Sequence, residues 1–160
     1  MVIGCLVVSA PPAQSVEPNQ LSLSALAQKS VVGNNFRVIK KVASNKEYAT
    51  FSIRYKSGDF TISGLMSVPH GPGPYPAVVI GHGYADVNVY KSGDGFTKER
   101  DYLARAGFLV LHTDYRNHAH SDDDPNNVTN LRLDYTEDVI AAVQALKNSD
   151  ITRVDRSHFV

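Results

Sequence analysis

Four consecutive residues, Gly81-His82-Gly83-Tyr84, are the strongest candidates for chemistry in this sequence. They follow the apolar run 75–80, whose consecutive β-branched residues predict a strand that is covered on both faces of a sheet. The two glycines allow the backbone to turn sharply where this strand ends and to approach a ligand closely. We therefore expect a tight, donor-rich turn at the sheet edge where α/β proteins usually place their chemistry.

A second group of residues has the composition of a metal site. His118, His120 and Asp122 follow another apolar run, and two imidazoles with a carboxylate can hold zinc and activate water. The spacing matches most of the His-x-His-x-Asp-His signature of metallo-β-lactamase-like hydrolases, but Asp123 replaces the last histidine and only His158 follows. Zinc is therefore an alternative, and the main interpretation includes no metal and no cofactor.

The composition argues against several classes of partner. A chain of 160 residues with 42% hydrophobic and 20% charged residues fits one globular domain. Sixteen basic and sixteen acidic residues cancel without forming a basic cluster, so we expect neither nucleic acid nor an anionic membrane as partner. The single cysteine, Cys5, allows no intrachain disulfide. No run reaches the roughly 18 apolar residues of a membrane span.

The turn must be positioned by strands on either side of it. Segments 36–42, 48–55 and 60–68 are rich in β-forming residues, and Ser57-Gly58-Asp59 predicts a hairpin turn between the last two. A second apolar run at 108–111 predicts a parallel strand that ends in Asp114-Tyr115-Arg116. The chain is therefore expected to enter its sheet through an antiparallel hairpin.

Two helices complete the pattern. The first is predicted from Thr97, as N-cap, to Ala106, with Gly107 just past its end. The second has Glu137 and Asp138 toward solvent and one apolar face, formed by Leu131, Tyr135, Val139, Val143 and Leu146. The order of these elements predicts the α/β class with a mostly parallel sheet.

Four short motifs occur in order at natural spacings: Gly81-His82-Gly83-Tyr84, residues 102–110, Asp114-Tyr115-Arg116-Asn117-His118-Ala119-His120-Ser121-Asp122, and residues 138–146 with Val154-Asp155. Together they resemble the front half of an α/β-hydrolase and are similar to dienelactone hydrolase and prolyl-oligopeptidase-like serine hydrolases. The resemblance covers residues 48–160. Asn117 and Ala119 stand where the third motif of this family has glycines.

The resemblance implies a role for the turn. In this family the turn after the third strand supplies one arm of the oxyanion hole, which stabilises the negative oxygen of a tetrahedral acyl intermediate. It assigns the backbone amide of Tyr84 as that donor, with His82 and Gly83 shaping the turn. The acidic and basic residues around the third motif, Asp114, Arg116 and 122–124, are expected to anchor their loop rather than to catalyse.

The nucleophile of this family sits on a Gly-x-Ser-x-Gly elbow after the fifth strand, and the acid and the base follow it. The sequence contains no such pattern and no Ser-x-x-Lys. Residues 154–160 align with the segment that leads into the elbow, so we expect an incomplete α/β-hydrolase fold, truncated before the nucleophile. The third strand would then lie beside an unfilled edge, which is an aggregation hazard.

We interpret residues 1–35 as a signal-like or flexible segment and 36–160 as the N-terminal part of an α/β-hydrolase domain. Residues 1–10 are apolar, two prolines follow, and Ala13-Gln14-Ser15 resembles a cleavage site. Val2-Ile3-Gly4-Cys5 is similar to a lipobox. Export to the periplasm, to a lipid anchor or to the medium is one expectation, and a flexible tail on a cytoplasmic protein is the other.

The function that these observations predict is that of a partial serine hydrolase. The complete protein would cleave an ester or peptide bond of a small-molecule or peptide substrate through an acyl-enzyme. One alternative is a non-catalytic, truncated remnant with a binding role. The other is a zinc hydrolase that uses His118, His120 and Asp122.

Overall fold

The computed structural model of the protein describes residues 22–160. In chain order their elements are α1 (Leu23–Gln28), β1 (Gly33–Ser44), β2 (Tyr48–Ser57), β3 (Phe60–Pro69), β4 (Tyr75–Gly81), α2 (Thr97–Arg105), β5 (Leu109–Thr113), α3 (Asp134–Lys147) and β6 (Val154–Phe159). The signal-like patterns Ala13-Gln14-Ser15 and Val2-Ile3-Gly4-Cys5 lie outside the described residues. Within 22–160, no helix is both long and apolar enough to cross a membrane.

The six strands form one mixed sheet in the order β1-β2-β3-β5-β4-β6. β1, β2, β3 and β5 pair antiparallel in succession, whereas β4 pairs parallel with both β5 and β6. The antiparallel entry is confirmed, but the expectation of a mostly parallel sheet is wrong. The connections 45–47 and 58–59 are too short for a crossover, so they can join only antiparallel neighbours.

β4 lies between β5 and β6. β6 pairs with β4 from Val154, opposite Tyr75, to Phe159, opposite Ala77. The expectation that the third strand would border an unfilled edge is therefore right only for the carboxyl end of β4. β6 pairs with β4 as far as Ala77 and the Val79 N–H still donates to the Val160 carbonyl oxygen, but among the described residues nothing pairs with Ile80 on that side. Residues 78–80 are half-buried, and β5, rather than β4, is the strand that is buried at every position.

The hydrophobic core lies between α3 and one face of the sheet. Ala141, Ala142 and Ala145 are buried on the helix side and pack against large apolar side chains of the strands. The small alanine side chains allow a close approach: a Cβ added at Gly33 of β1 would lie 1.9 Å from the carbonyl oxygen of Ala141. Glycine at position 33 is therefore required by helix–sheet packing.

The predicted apolar face of this helix is only partly right. α3 begins at Asp134, and Leu131 lies before it with a φ of 54° and an exposed side chain. Leu146 is buried as predicted, but Asp138 is fully buried instead of facing solvent. The helix is rotated toward its alanines because they let it lie closer to the sheet than a row of Tyr and Val side chains would.

α2 covers part of the opposite face, where it contacts β3 and β5. Its bounds agree with the prediction, and Gly107 follows its end with a φ of 94°. The predicted N-cap is wrong by one residue, since Phe96 holds that position without a side-chain cap. His112 of β5 is buried beneath α2, and its Nδ1 lies 3.1 Å from a guanidinium nitrogen of Arg100.

Candidate active site

The turn predicted to carry chemistry lies at the carboxyl end of β4. Gly81, the last residue of β4, pairs with Thr113, the last residue of β5, so the two parallel strands end at the same sheet edge. His82 is buried, whereas Gly83 and Tyr84 are exposed. Among the described residues, neither the Gly83 nor the Tyr84 N–H has a hydrogen-bond acceptor. The turn therefore presents backbone donors to solvent at the edge where substrates bind in α/β folds.

His82 holds this turn in place. Its Nδ1 lies 2.7 Å from the carbonyl oxygen of Gly83, and its Nε2 lies 3.2 Å from that of Asp114. A neutral imidazole has one N–H and can donate to one of these carbonyls at a time. The Tyr115 hydroxyl donates to the His82 carbonyl oxygen at 3.0 Å. Both ring nitrogens thus face backbone carbonyl oxygens and one of them donates, which makes His82 a shaping residue of the turn.

Aromatic rings surround the imidazole of His82. Its ring centroid lies 4.4 Å from that of Tyr90, 4.3 Å from that of Tyr115 and 4.9 Å from that of His118. Tyr115 in turn stacks on Tyr135 of α3 at 4.9 Å, with nearly parallel planes. The turn is therefore backed by a rigid aromatic cluster that spans β4, β5 and α3.

Asp114, directly after β5, connects this cluster to the rest of the sheet. Its fully buried carboxylate accepts hydrogen bonds from the hydroxyls of Ser63, Ser92 and Tyr90 at 2.6–3.0 Å and from the Gly93 N–H at 3.2 Å. Burial and the nearby Asp114 carboxylate raise the pKa of Tyr90, so its phenol stays a neutral donor. The geometry agrees with the structural role that the sequence analysis gives to Asp114.

Arg116 forms a buried ion network with α3. Its guanidinium donates to both carboxylate oxygens of Asp138, at 2.8 and 3.1 Å, and to Asp124 at 3.0 Å, while its backbone N–H donates to Asp138 at 2.9 Å. Burial opposes the charge, but the hydrogen bonds and charges of Asp138 and Asp124 prevail and raise the pKa of Arg116. Arg116 is therefore a fixed cation that ties the loop after β5 to α3.

The three residues of the zinc alternative do not come together. His118 is buried, with its ring nitrogens 3.1 Å from the Arg116 carbonyl oxygen and 3.3 Å from that of Ala85. His120 is exposed, and the Asp122 carboxylate accepts from the Thr61 N–H at 2.6 Å. Within residues 22–160, no three His, Cys, Asp or Glu side chains are arranged to hold a metal. The spacing is produced by a tight loop whose side chains point in different directions.

A cleft of about 470 Å³ opens beside the turn, between the ends of β4 and β5 and the first turns of α3. Besides Gly83 and Tyr84, its lining includes Tyr115, Tyr135 and Ile140, and it contains no Ser, Cys, Asp or Glu. The cleft can therefore bind an apolar or aromatic group next to two free amides. The described residues provide no pair of nucleophile and base there.

The sequence analysis missed three contributors to this site. Tyr115 and Tyr90 fix the turn and its loop, and Asp138 neutralises Arg116. Tyr115 could have been noticed because it directly follows a buried strand. The partnership of Tyr90 with Asp114 and of Asp138 with Arg116 joins residues more than 20 positions apart, and no local pattern announces it.

The crossover from β4 through α2 to β5, the order of the sheet and the exposed turn at its carboxyl edge are compatible with a partial α/β fold. No protein family model matches the chain. Over 107 residues, which are 62% of this chain and 26% of the relative, the chain is 32% identical to esterase EstD of Thermotoga maritima.

One solved structure supports the fold. Acetyl xylan esterase 1 from Thermoanaerobacterium sp. superimposes with a TM-score of 0.57 and 19% identity, over 79% of this chain and 43% of that one. The esterase LipA from Xanthomonas oryzae gives a TM-score of 0.43 at 16% identity, over 78% and 40%. The first likeness shows that the described residues share the fold of an esterase domain. The chain spans about a quarter of EstD and less than half of the acetyl xylan esterase.

Proposed function

We propose that this chain forms the oxyanion-hole side of an esterase of the α/β-hydrolase type. The observation that carries the proposal is the position of the Tyr84 N–H at the carboxyl end of β4. This N–H donates no hydrogen bond to any of the described residues, and it borders a mainly apolar cleft. A donor in this position stabilises the oxyanion of an ester hydrolysis intermediate by roughly 3–4 kcal/mol. The 32% identity to an esterase over 107 residues favours esters over peptides.

The residues of the turn after β4 and those of the nucleophile elbow would have different roles in the reaction. The Tyr84 N–H would donate a hydrogen bond to the carbonyl oxygen of the ester, and His82 and Gly83 would keep this N–H pointed at the cleft. The nucleophile, the acid and the base of such an enzyme would come from an elbow and loops for which the chain has no Gly-x-Ser-x-Gly. The acyl group would rest on the apolar surface that the tyrosines of the cleft form together with Val139 and Ile140.

The amide can be tested apart from the side chain that follows it. In the protein that the native gene encodes, Tyr84→Pro removes the N–H, whereas Tyr84→Ala keeps it. We expect Tyr84→Pro to lower kcat for p-nitrophenyl acetate by about 100- to 1000-fold, the usual effect of losing one oxyanion donor. Tyr84→Ala should retain kcat within a few-fold, because the exposed ring is not the donor.

Equal activity of the two variants would contradict the assignment, provided that circular dichroism shows both to be folded. A second hypothesis, a binding role without catalysis, is favoured by the lining of the cleft beside Tyr84, which contains no Ser, Cys, Asp or Glu. A fluorophosphonate probe separates the readings. The esterase proposal expects a probe adduct on a serine in an in-frame Gly-x-Ser-x-Gly after residue 160. The hypothesis of a binding role expects neither a probe adduct nor codons for this motif.

A further inference from the structure

The sheet carries a second cleft on the face opposite α3, away from the proposed ester site. α2 covers this face where it contacts β3 and β5, and a cleft of about 390 Å³ lies over β1, β2 and β3. Its volume falls within the usual range of small-molecule sites, about 300–1,000 Å³. The residues that give it chemical character are Ile39, Lys40, Arg54, Leu65, Ser92 and His120.

The register of the strands places two cations side by side in this cleft. Lys40 of β1 lies opposite Ser52 of β2, and Arg54 is two residues further along β2 on the same face. A register shift between Val38 and Lys40 interrupts this pairing, so Lys40 and Arg54 are near neighbours on adjacent strands rather than a regular diagonal pair. Both side chains are exposed, and the imidazole of His120 lies at the rim.

No carboxylate balances these charges. The lining of the cleft contains no Asp or Glu, and neither Lys40 nor Arg54 forms an ion pair within residues 22–160. Asp114 lies behind the cleft, but its carboxylate is already satisfied by four donors, two of which are the lining serines Ser63 and Ser92. Two adjacent like charges without a partner repel each other and favour an anion between them.

Apolar side chains line another part of the cleft. Leu65 of β3 lies opposite Ser52, in the same row as Lys40, and Ile39 and Val42 of β1 stand about half exposed, at 53% and 46%. Exposed aliphatic side chains beside unpaired cations suit a ligand with an anionic head and a hydrocarbon body. Along the row Lys40–Ser52–Leu65, the charged surface therefore lies on the β1 side and an apolar surface lies on the β3 side.

We propose that this cleft binds an organic carboxylate, with the carboxylate at Lys40 and Arg54 and an aliphatic or aromatic body against Ile39, Val42 and Leu65. The guanidinium of Arg54 provides a planar fork of donors for the two oxygens, and Lys40 adds a point charge. The proposal does not depend on ester hydrolysis, because the cleft shares no lining residue with the cleft beside Tyr84.

The test is a titration of the ¹⁵N-labelled chain, followed by amide chemical shifts, with two probes of equal size. 2-Naphthoate carries the charge and 2-naphthylmethanol does not. We expect naphthoate to shift amides in 39–42, 52–54 and 63–65 and to bind at least fivefold more tightly than the alcohol. Added salt should weaken naphthoate alone, because it screens exposed charges.

Matched variants localise the effect. The double substitution Lys40→Gln with Arg54→Gln should lower the naphthoate affinity at least tenfold and leave the alcohol unchanged. Lys41→Gln removes one neighbouring exposed cation that does not line the cleft, and it should leave both affinities unchanged. Equal binding of the two probes, shifts confined to other regions, or a double variant that binds naphthoate like the unsubstituted chain would each overturn the proposal.

Discussion

At the scale of single residues, the loop after β5 shows how a motif keeps its backbone while changing its side chains. Asn117 and Ala119 stand where the resembled motif has glycines, and their φ angles are 65° and 51°. Both therefore adopt the left-handed conformation that glycine enters without cost. Asn tolerates this region because its side chain bonds locally, and Asn117 indeed donates to the Asp124 carbonyl oxygen at 3.0 Å. Ala119 has no such compensation.

Restoring glycine at position 119 should stabilise the protein. A left-handed Ala costs roughly 1–2 kcal/mol, part of which is returned by the greater freedom of glycine in the unfolded chain. We expect Ala119→Gly to raise the free energy of unfolding by about 0.5–1 kcal/mol in urea titrations. Ala106→Gly is the control, because φ at Ala106 is −75°, and it should give no gain. A lower free energy of unfolding for Ala119→Gly would show that the backbone at Ala119 is not strained.

His112 is the second residue whose behaviour follows from its surroundings. Burial, followed by the charge of Arg100, lowers the pKa of His112 from 6.5 to about 4. Its Nε2 has no hydrogen-bond partner among the described residues. The folded protein therefore keeps His112 neutral, while the unfolded chain protonates it below about pH 6.5. The stability due to this difference is complete above pH 6.5 and is lost as the pH falls toward 4.

The pH dependence can be assigned by substitution. Between pH 7 and pH 4 the shift corresponds to about 3 kcal/mol of unfolding free energy. His112→Asn should lack this part of the acid destabilisation, since Asn does not titrate. His120→Asn, at an exposed histidine, should follow the unsubstituted protein. Unfolding titrations at both pH values measure the difference, and identical pH profiles for all three proteins would refute the assignment.

At the scale of elements, the sequence located β4, β5, the β2–β3 hairpin and α2, because apolar runs and glycine signals are local. It did not orient α3, since the choice between the Tyr–Val stripe and the alanine stripe depends on how closely the helix approaches Gly33. It placed Asp138 in solvent because the compensating Arg116 lies 22 positions away. The turn at Tyr84 was located from sequence, whereas its supports, Tyr90 and Tyr115, required the tertiary structure.

The end of β4 offers a paired test of this support. A Cβ at Gly81 would lie 2.1 Å from the Tyr115 hydroxyl and would displace it from the His82 carbonyl, whereas a Cβ at Gly83 meets nothing within 4 Å. We expect Gly81→Ala to destabilise the protein by about 1–3 kcal/mol and Gly83→Ala to stay within about 0.5 kcal/mol. Thermal unfolding of both variants checks this. Equal Tm values would show that Tyr115 yields freely.

At the scale of the whole molecule, the sheet has two open edges. β1 is 12 residues long, mostly exposed and interrupted by register shifts, and β6 forms the other edge. Val38 on β1 is 44% exposed. Edge strands with unpaired backbone groups and apolar side chains recruit other chains.

The division of the chain at residue 35 stays a prediction, although β1 begins at Gly33.

We expect the isolated 160-residue chain to associate as its concentration rises. Light scattering should show growth in mean mass, and Val38→Lys should reduce it, because a charged residue discourages pairing at an edge. Leu23→Lys, at an exposed residue of α1 rather than of an edge strand, should change association little. A monodisperse monomer with cooperative melting at every concentration would contradict this expectation.

The Asp114 carboxylate has a consequence for how this protein can diverge. Its hydroxyl donors come from β3 and from the loop before α2, at positions 63, 90 and 92. A substitution of Asp114 leaves several hydrogen-bond donors without an acceptor, and no single substitution elsewhere provides a new acceptor for all of them. Substitutions at positions 63, 90, 92 and 114 should therefore occur together. Related proteins are expected either to keep all four residues or to replace all four.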